Sequence, residues 1–138
     1  MGTLGDYLEA KLLDAVFGQT ALPSIGTVYV ALYTVIPTDV NASGTEVTGG
    51  SYARVAVTNN TTNWPNATGT NPASKSNGTA ITFPAPTANW GVVVGFAIYD
   101  AASTGNELCW SALTVNKTIN NGDAAPSFGI GALVITLD

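Results

Sequence analysis

The stretch GVVVGFAIYD at residues 91–100 is the most hydrophobic part of the chain, and it predicts a central β-strand. Its valine, isoleucine and aromatic residues fit the pleated surface of a sheet. A second stretch, TVYVALYT at residues 27–34, has the same β-branched and aromatic character and predicts another strand. The chain is therefore expected to be built mainly from strands.

Shorter segments on either side carry the same signal. Strands are predicted at residues 52–58, 80–83, 107–113, 115–119 and 132–137. Between the last two, residues 120–123 contain an Asn-Gly pair, which favours a tight turn.

The N-terminal segment has helical rather than strand periodicity. Apolar residues recur there at spacings of three and four, which predicts one amphipathic helix over about residues 4–17. Thr3 is expected to cap it, with Asp6 three residues later as an acidic variant of the capping box, and Gly18 to end it. The apolar stripe must be buried, either against the chain's own sheet or in a neighbouring subunit. Its members include Leu4, Tyr7, Leu8, Leu12, Val16 and Phe17.

Residues 59–79, NNTTNWPNATGTNPASKSNGT, predict a long polar loop, because they are rich in Asn and Thr and nearly free of aliphatic residues. A loop of this length inside a domain is usually functional or is ordered by a neighbour. Trp64 is its single large apolar residue and is a candidate anchor for a partner.

These elements predict a single domain over residues 1–138. The expected fold is mainly β: a β-sandwich or jelly-roll-like domain of about six to eight short strands, from residue 27 to 137, with one N-terminal amphipathic helix.

Charge is scarce in this chain. Charged residues make up 9% of its 138 residues, against about 25% in typical domains. The net charge is −5, and the four basic residues are scattered, so no basic patch is available for nucleic acid or for an anionic membrane surface. We expect no nucleic-acid partner and no membrane partner. An uncharged polar surface is suited to dense packing against copies or partners.

Histidine is absent and the only cysteine is Cys109. Catalytic triads that need an imidazole base and zinc sites of the usual Cys/His kind are therefore excluded. Cys109, between Leu108 and Trp110, is interpreted as a buried small apolar residue in a strand. We expect no catalytic residue, no metal site and no cofactor.

Two alternatives remain open at this point. Paired carboxylates could form a small glycosidase, although each acid lies in or beside a predicted turn, where acids are common for local reasons. Alternatively, exposed aromatic rings could stack on sugars, and Trp64 and Trp90 are the candidates because both lie in predicted loops. The acids concerned are Asp39, Glu46, Asp100, Glu107 and Asp123.

Several phrases, in order and over nearly the whole chain, resemble a family of small virion proteins of tailed bacteriophages. They are YLEAKLLDAVFGQTAL (7–22), TVYVALYTVIPTD (27–39), GTEVTGGSYARVAVT (44–58), SNGTAITFPAPTANWGVVVGFAIYDAASTGNELCW (76–110), ALTVNKTINNGD (112–123) and ALVITLD (132–138). Members are variously described as hypothetical, tail-fibre or minor structural proteins. Residues 63–75 depart from the pattern, since they are longer and richer in Asn and Thr.

The resemblance implies a non-enzymatic component of the phage particle, made in the cytoplasm of the bacterial host and placed on the particle surface. We expect first a capsid decoration or cement protein that binds the major capsid protein and forms a homo-oligomer. A tail-fibre or baseplate component that contacts the host surface is the second expectation, and a carbohydrate-binding module is the third. The expected assembly interface comprises Leu4, Tyr7, Leu8, Leu12, Val16, Phe17 and Trp64, together with the loop at 59–79.

Overall fold

A computed structural model describes residues 3–137 of the protein. The strand predicted at residues 91–100 is present and lies inside the largest sheet. The elements in chain order are β1 (Thr3–Leu4), α1 (Asp6–Phe17), β2 (Thr27–Val35), β3 (Thr45–Glu46), β4 (Val55–Thr58), β5 (Ala73–Ser76), β6 (Ile81–Thr82), β7 (Gly91–Tyr99), β8 (Glu107–Ile119), β9 (Ser127–Phe128) and β10 (Val134–Leu137).

The large sheet has the strand order β1-β8-β7-β2-β3, and β4 also pairs with β2. Two small two-stranded sheets, β5 with β10 and β6 with β9, complete the fold, and every pair of strands is antiparallel. The prediction of a mainly-β fold with one N-terminal helix is confirmed. The ten strands exceed the predicted six to eight because four of them, β1, β3, β6 and β9, are only two residues long.

The prediction of two strands at 107–113 and 115–119 is wrong, because a single strand, β8, covers both. Its pairing with β7 shifts register: Gly95 faces Ala112, whereas Val93, two residues away, faces Lys117. The extra residues of β8 are accommodated as a bulge, so the polar residue Thr114 does not end the strand.

The helix begins two residues later than predicted, and Thr3 does not cap it. Thr3 and Leu4 form β1, which pairs with Trp110 and Cys109 of β8, and the Thr3 hydroxyl donates to the Asp39 carboxylate (2.6 Å). Gly5 takes the capping position without a side-chain hydrogen bond. Glycine is needed there, because a Cβ on Gly5 would lie 2.6 Å from the carbonyl oxygen of Glu107.

The large sheet is covered on both faces, as the alternation of side chains along β2 and β7 requires. On one face, residues such as Val30 and Ile98 belong to the main core, which also includes Leu133 and residues of the small sheets. On the other face, Ala31, Tyr33, Ala97 and Tyr99 form a second, smaller cluster.

Outside β5, the segment at 59–79 is held largely by hydrogen bonds from its own asparagines. Asn60 Oδ1 accepts from the backbone N–H groups of Thr62 and Asn63, at 3.0 and 2.8 Å. The buried Asn77 receives the N–H of Leu133 (2.9 Å) and donates to the carbonyls of Thr79 and Gly129. The prediction of one continuous loop is wrong at β5, because β5 finds its partner in β10, far along the chain.

Trp64 fixes this segment to the main core. Its side chain is only 6% exposed, and its indole Nε1 is buried with no hydrogen-bond partner among residues 3–137. The ring therefore contributes apolar packing while carrying an unpaired donor.

We predict that Trp64→Ala lowers the free energy of unfolding by about 3–5 kcal/mol, the usual cost of removing a large buried ring. Trp64→Phe is the matched control and should cost about 1 kcal/mol or less, because it keeps most of the packing and removes the unpaired N–H. Urea denaturation of the three proteins measures both effects. Equal stability of wild type and Trp64→Ala would mean that Trp64 is not packed in the core.

Candidate functional site

Helix α1 covers the edge of the large sheet without burying any of its residues completely. The side chains of Tyr7 and Leu8 pack against the main core and are half-buried, and Leu12 is also half-buried. The last turn and a half is different. Leu13, Val16 and Phe17 are 60%, 69% and 82% exposed, and we call these three residues the helix tip.

An apolar groove opens beside the first half of the helix. It has a volume of about 450 Å³ and lies between the helix, the start of the 59–79 segment and strand β10. We call this feature the apolar groove. Its lining residues include Leu4, Leu8, Trp64, Ile98, Ile135 and Leu137. Within the described chain, the only charged residue that lines it is Lys75, whose Nζ donates to the carbonyl of Pro65 (2.9 Å).

The structure brings together part of the predicted assembly interface. Leu4, Leu8 and Trp64 line the same groove, although Trp64 forms part of its wall rather than a protruding anchor. Val16 and Phe17 lie at the other end of the helix. The use of these residues in assembly stays a prediction.

The expectation that Trp64 and Trp90 are exposed is wrong. Trp90 is 5% exposed, its indole N–H donates to the carbonyl of Gly50 (2.9 Å), and its ring meets Tyr52 edge-on at 5.3 Å. Both tryptophans lie outside strands, as predicted, but the loops fold back over the core. The predicted glycan contact therefore loses its basis in exposure.

A polar network lies on the second face of the large sheet. Arg54 forms a two-pronged pair with the Glu46 carboxylate, with Nε–Oε1 at 2.9 Å and Nη2–Oε2 at 2.8 Å. The guanidinium also stacks over the Tyr99 ring at 3.7 Å. The Tyr99 hydroxyl in turn lies 2.6 Å from that of Tyr33 and donates to Glu107 Oε2 (3.0 Å).

Polar side chains of this network are hydrogen-bonded to the backbone of neighbouring loops. Nη1 of Arg54 donates to the carbonyls of Ala101 and Thr104, so every nitrogen of the guanidinium has a partner within the protein. Asn41 similarly donates to Gly105 and accepts the N–H of Glu107. The arrangement ties the loops at 41–44 and 101–105 to the sheet.

Asp100 and Asp123 serve local turn structure, as predicted, whereas Asp39 joins segments that are distant in the sequence. Asp39 accepts from Thr3 and Trp110, and these hydrogen bonds lower its pKa. Asp100 accepts from the backbone and side chain of Asn106, and Asp123 accepts from the N–H of Asn120. Of the five acids, only Glu46 and Glu107 share a network.

Among the acids of residues 3–137, only Glu107 is completely buried. Its Oε1 has no hydrogen-bond partner among residues 3–137, and burial raises the pKa of the carboxyl group from its ordinary 4.5 to about 7. The sequence shows no sign of this burial, because ELCWSAL gives Glu107 only as the first residue of a strand.

Cys109 behaves as interpreted from the sequence. It is a buried free thiol in β8, and burial raises its pKa to about 12, which keeps it protonated and unreactive near neutral pH. No three metal-ligating side chains are grouped closely enough to hold a metal ion within residues 3–137. The one helix in that range is too short and too polar to cross a membrane.

Comparison with known proteins identifies the family. The model of the family described as "Podophage GP4 fiber I protein gp80" matches residues 3–136. The match covers nearly the entire chain, so the protein belongs to this family of phage fibre proteins, in agreement with the resemblance to small virion proteins of tailed phages. None of the curated proteins compared with the chain matches it.

We predict that Glu107 makes folding less favourable as the pH rises. Because its pKa is higher in the folded state, the folded protein binds the extra proton, and this stabilisation is present below about pH 4.5 and is lost as the pH rises through about 7. Glu107→Gln should therefore gain stability relative to wild type between pH 5 and pH 8. Thermal denaturation at the two pH values measures the change, and a stability difference that does not vary with pH would contradict it.

Proposed function

We propose that this member of the podophage fibre family is a small non-enzymatic structural subunit of the fibre apparatus, attached within the particle by the helix tip and the apolar groove. The observation that carries the proposal is the family match over residues 3–136, since the family is named for a fibre protein. The exposed apolar surface of α1 supports it.

The helix tip has the properties of a contact surface. Leu13, Val16 and Phe17 are spaced at three and four residues, so they are neighbours on the helix and form a continuous patch. Single exposed apolar residues are common, whereas contiguous patches mark interaction sites. Because so few residues of this protein are charged, electrostatic repulsion does little to prevent a partner from contacting this patch.

A structural rather than catalytic role is supported by how the acids are used. Glu46 is held by Arg54 and Tyr52, and Asp39, Asp100 and Asp123 all accept hydrogen bonds from other groups of the protein. The chain has no histidine, and Glu107, whose carboxyl pKa burial raises to about 7, is sealed inside the fold. General acid–base catalysis requires a group that reaches the substrate.

Capsid decoration requires the same kind of apolar contact, so position and copy number separate it from a fibre role. The test is quantitative mass spectrometry of purified particles together with antibody labelling in electron micrographs. A fibre subunit is expected at low copy number with label at the tail. A high copy number with label spread over the head would overturn the fibre proposal in favour of decoration.

We predict that the double variant Val16→Ser/Phe17→Ser is incorporated into particles at least about tenfold less than wild type, because it loses two apolar contacts. Both side chains are already exposed, so folding should be unaffected. The matched control is Val115→Ser/Ile130→Ser, which changes residues that are 79% and 75% exposed on other parts of the surface. Equal incorporation of the two double variants would show that the helix tip is not the attachment surface.

A further inference from the structure

The two apolar features associated with helix α1 lie at opposite ends of the helix: the groove beside its start and the exposed tip at its end. The groove is concave and is lined near the helix start by Leu4 and Leu8. The helix tip is convex and ends in Phe17, the most exposed of its three residues. Nine residues separate Leu8 from Phe17, which is about 14 Å along a rigid helix. A copy of the chain therefore cannot fill its own groove with its own tip.

We propose that the helix tip of one copy inserts into the apolar groove of a second copy of the same chain. The inference rests on the proposed use of this surface as an assembly contact and names the partner. At about 450 Å³, the groove is large enough for an aromatic ring and a neighbouring valine, and apart from its polar rim it offers mostly apolar walls.

The charges at the contact are also complementary. The C-terminal end of a helix carries a partial negative charge, and Asp14 adds a carboxylate one turn before Phe17. The last turn of the helix Asp6–Phe17, all of which is described by the structure, contains no basic side chain to neutralise these two negative charges. Lys75 supplies the positive charge in the groove, and its ammonium donates only one hydrogen bond, to Pro65, so donors remain for a carboxylate.

The orientation of the contact follows from the acids of the first turn. Asp6 and Glu9 are exposed in the same first turn of the helix as the groove residue Leu8, and a carboxylate brought close to them would be repelled. An approach that brings Asp14 to Lys75 is therefore favoured over one that brings it to the first turn of the helix. Because the two contact surfaces differ, the assembly is head-to-tail, and it closes into a ring or extends as a filament.

A charge-exchange experiment tests the contact with the full chain. We measure self-association by sedimentation equilibrium over a wide range of concentrations for wild type, Phe17→Ser, Asp14→Lys, Lys75→Glu and the double variant Asp14→Lys/Lys75→Glu. Wild type should self-associate, Phe17→Ser should associate at least about tenfold more weakly, and each single charge variant should also be weakened. The double variant should recover association, because the ion pair is restored with reversed polarity.

Val115→Ser is the control, since it removes an equally exposed valine from β8 and should leave association unchanged. Circular dichroism checks that each variant is folded. A wild-type protein that stays monomeric at every concentration, or a double variant no better than its single parents, would overturn the inference.

The two proposals fail in different ways. A monomeric protein that is still found on fibres leaves the fibre role intact and removes only the contact between copies. A protein that self-associates through Phe17 and Lys75 but is absent from particles removes the fibre role and leaves the contact.

Discussion

The antiparallel pairing of β7 with β2 on one side and β8 on the other is the constraint on which the rest of the structure depends. Val30 pairs with Ile98 and Ile98 with Cys109, and these three side chains enter the main core together. Their neighbours Ala31 and Ala97 enter the cluster on the opposite face. A slip of one residue would exchange the two faces, so burial on both sides fixes the register. With the register fixed, β1 pairs with β8, and this pairing sets the start of the helix. The same register places the Tyr99 hydroxyl where it donates to Glu107.

The apolar groove is a consequence of that sheet and of two segments that lack strong local preferences. Between residue 59 and the start of β5 at Ala73, asparagine side chains such as Asn60 and Asn63 supply hydrogen bonds in place of a strand ladder. Trp64 lies in this part of the chain, packed against the core, and it lines the groove together with Leu8. Strand β10, bound only to β5 among the described strands, supplies the opposite wall. The first half of the helix packs on the core and borders this opening through Leu8, whereas its last residues are exposed, so one short helix carries both a half-buried and an exposed apolar surface.

The sequence predicts the elements whose signals are local. Residues 27–34 and 91–100 are rich in β-branched and aromatic residues and form strands, and the helical period of residues 4–17 is largely realised. It does not predict β1, β5 or the groove, because these depend on partners more than fifty residues away. Trp64 and Trp90 show the same limit: their loop positions were correct, but exposure is decided by whether a loop folds over the core. The burial of Glu107 and the pairing of Arg54 with Glu46 are likewise invisible in the sequence, since a charged residue at the start of a strand is ordinarily exposed.

Hydrogen–deuterium exchange, compared between the free protein and the protein in purified particles, tests most directly whether the helix and groove form the assembly surface. We predict slower exchange in particles at residues 4–17 and 59–64, with little change in β2 and β7, which are already protected in the free fold. Unchanged exchange at the helix together with new protection elsewhere, for instance along the exposed part of β8, would contradict it.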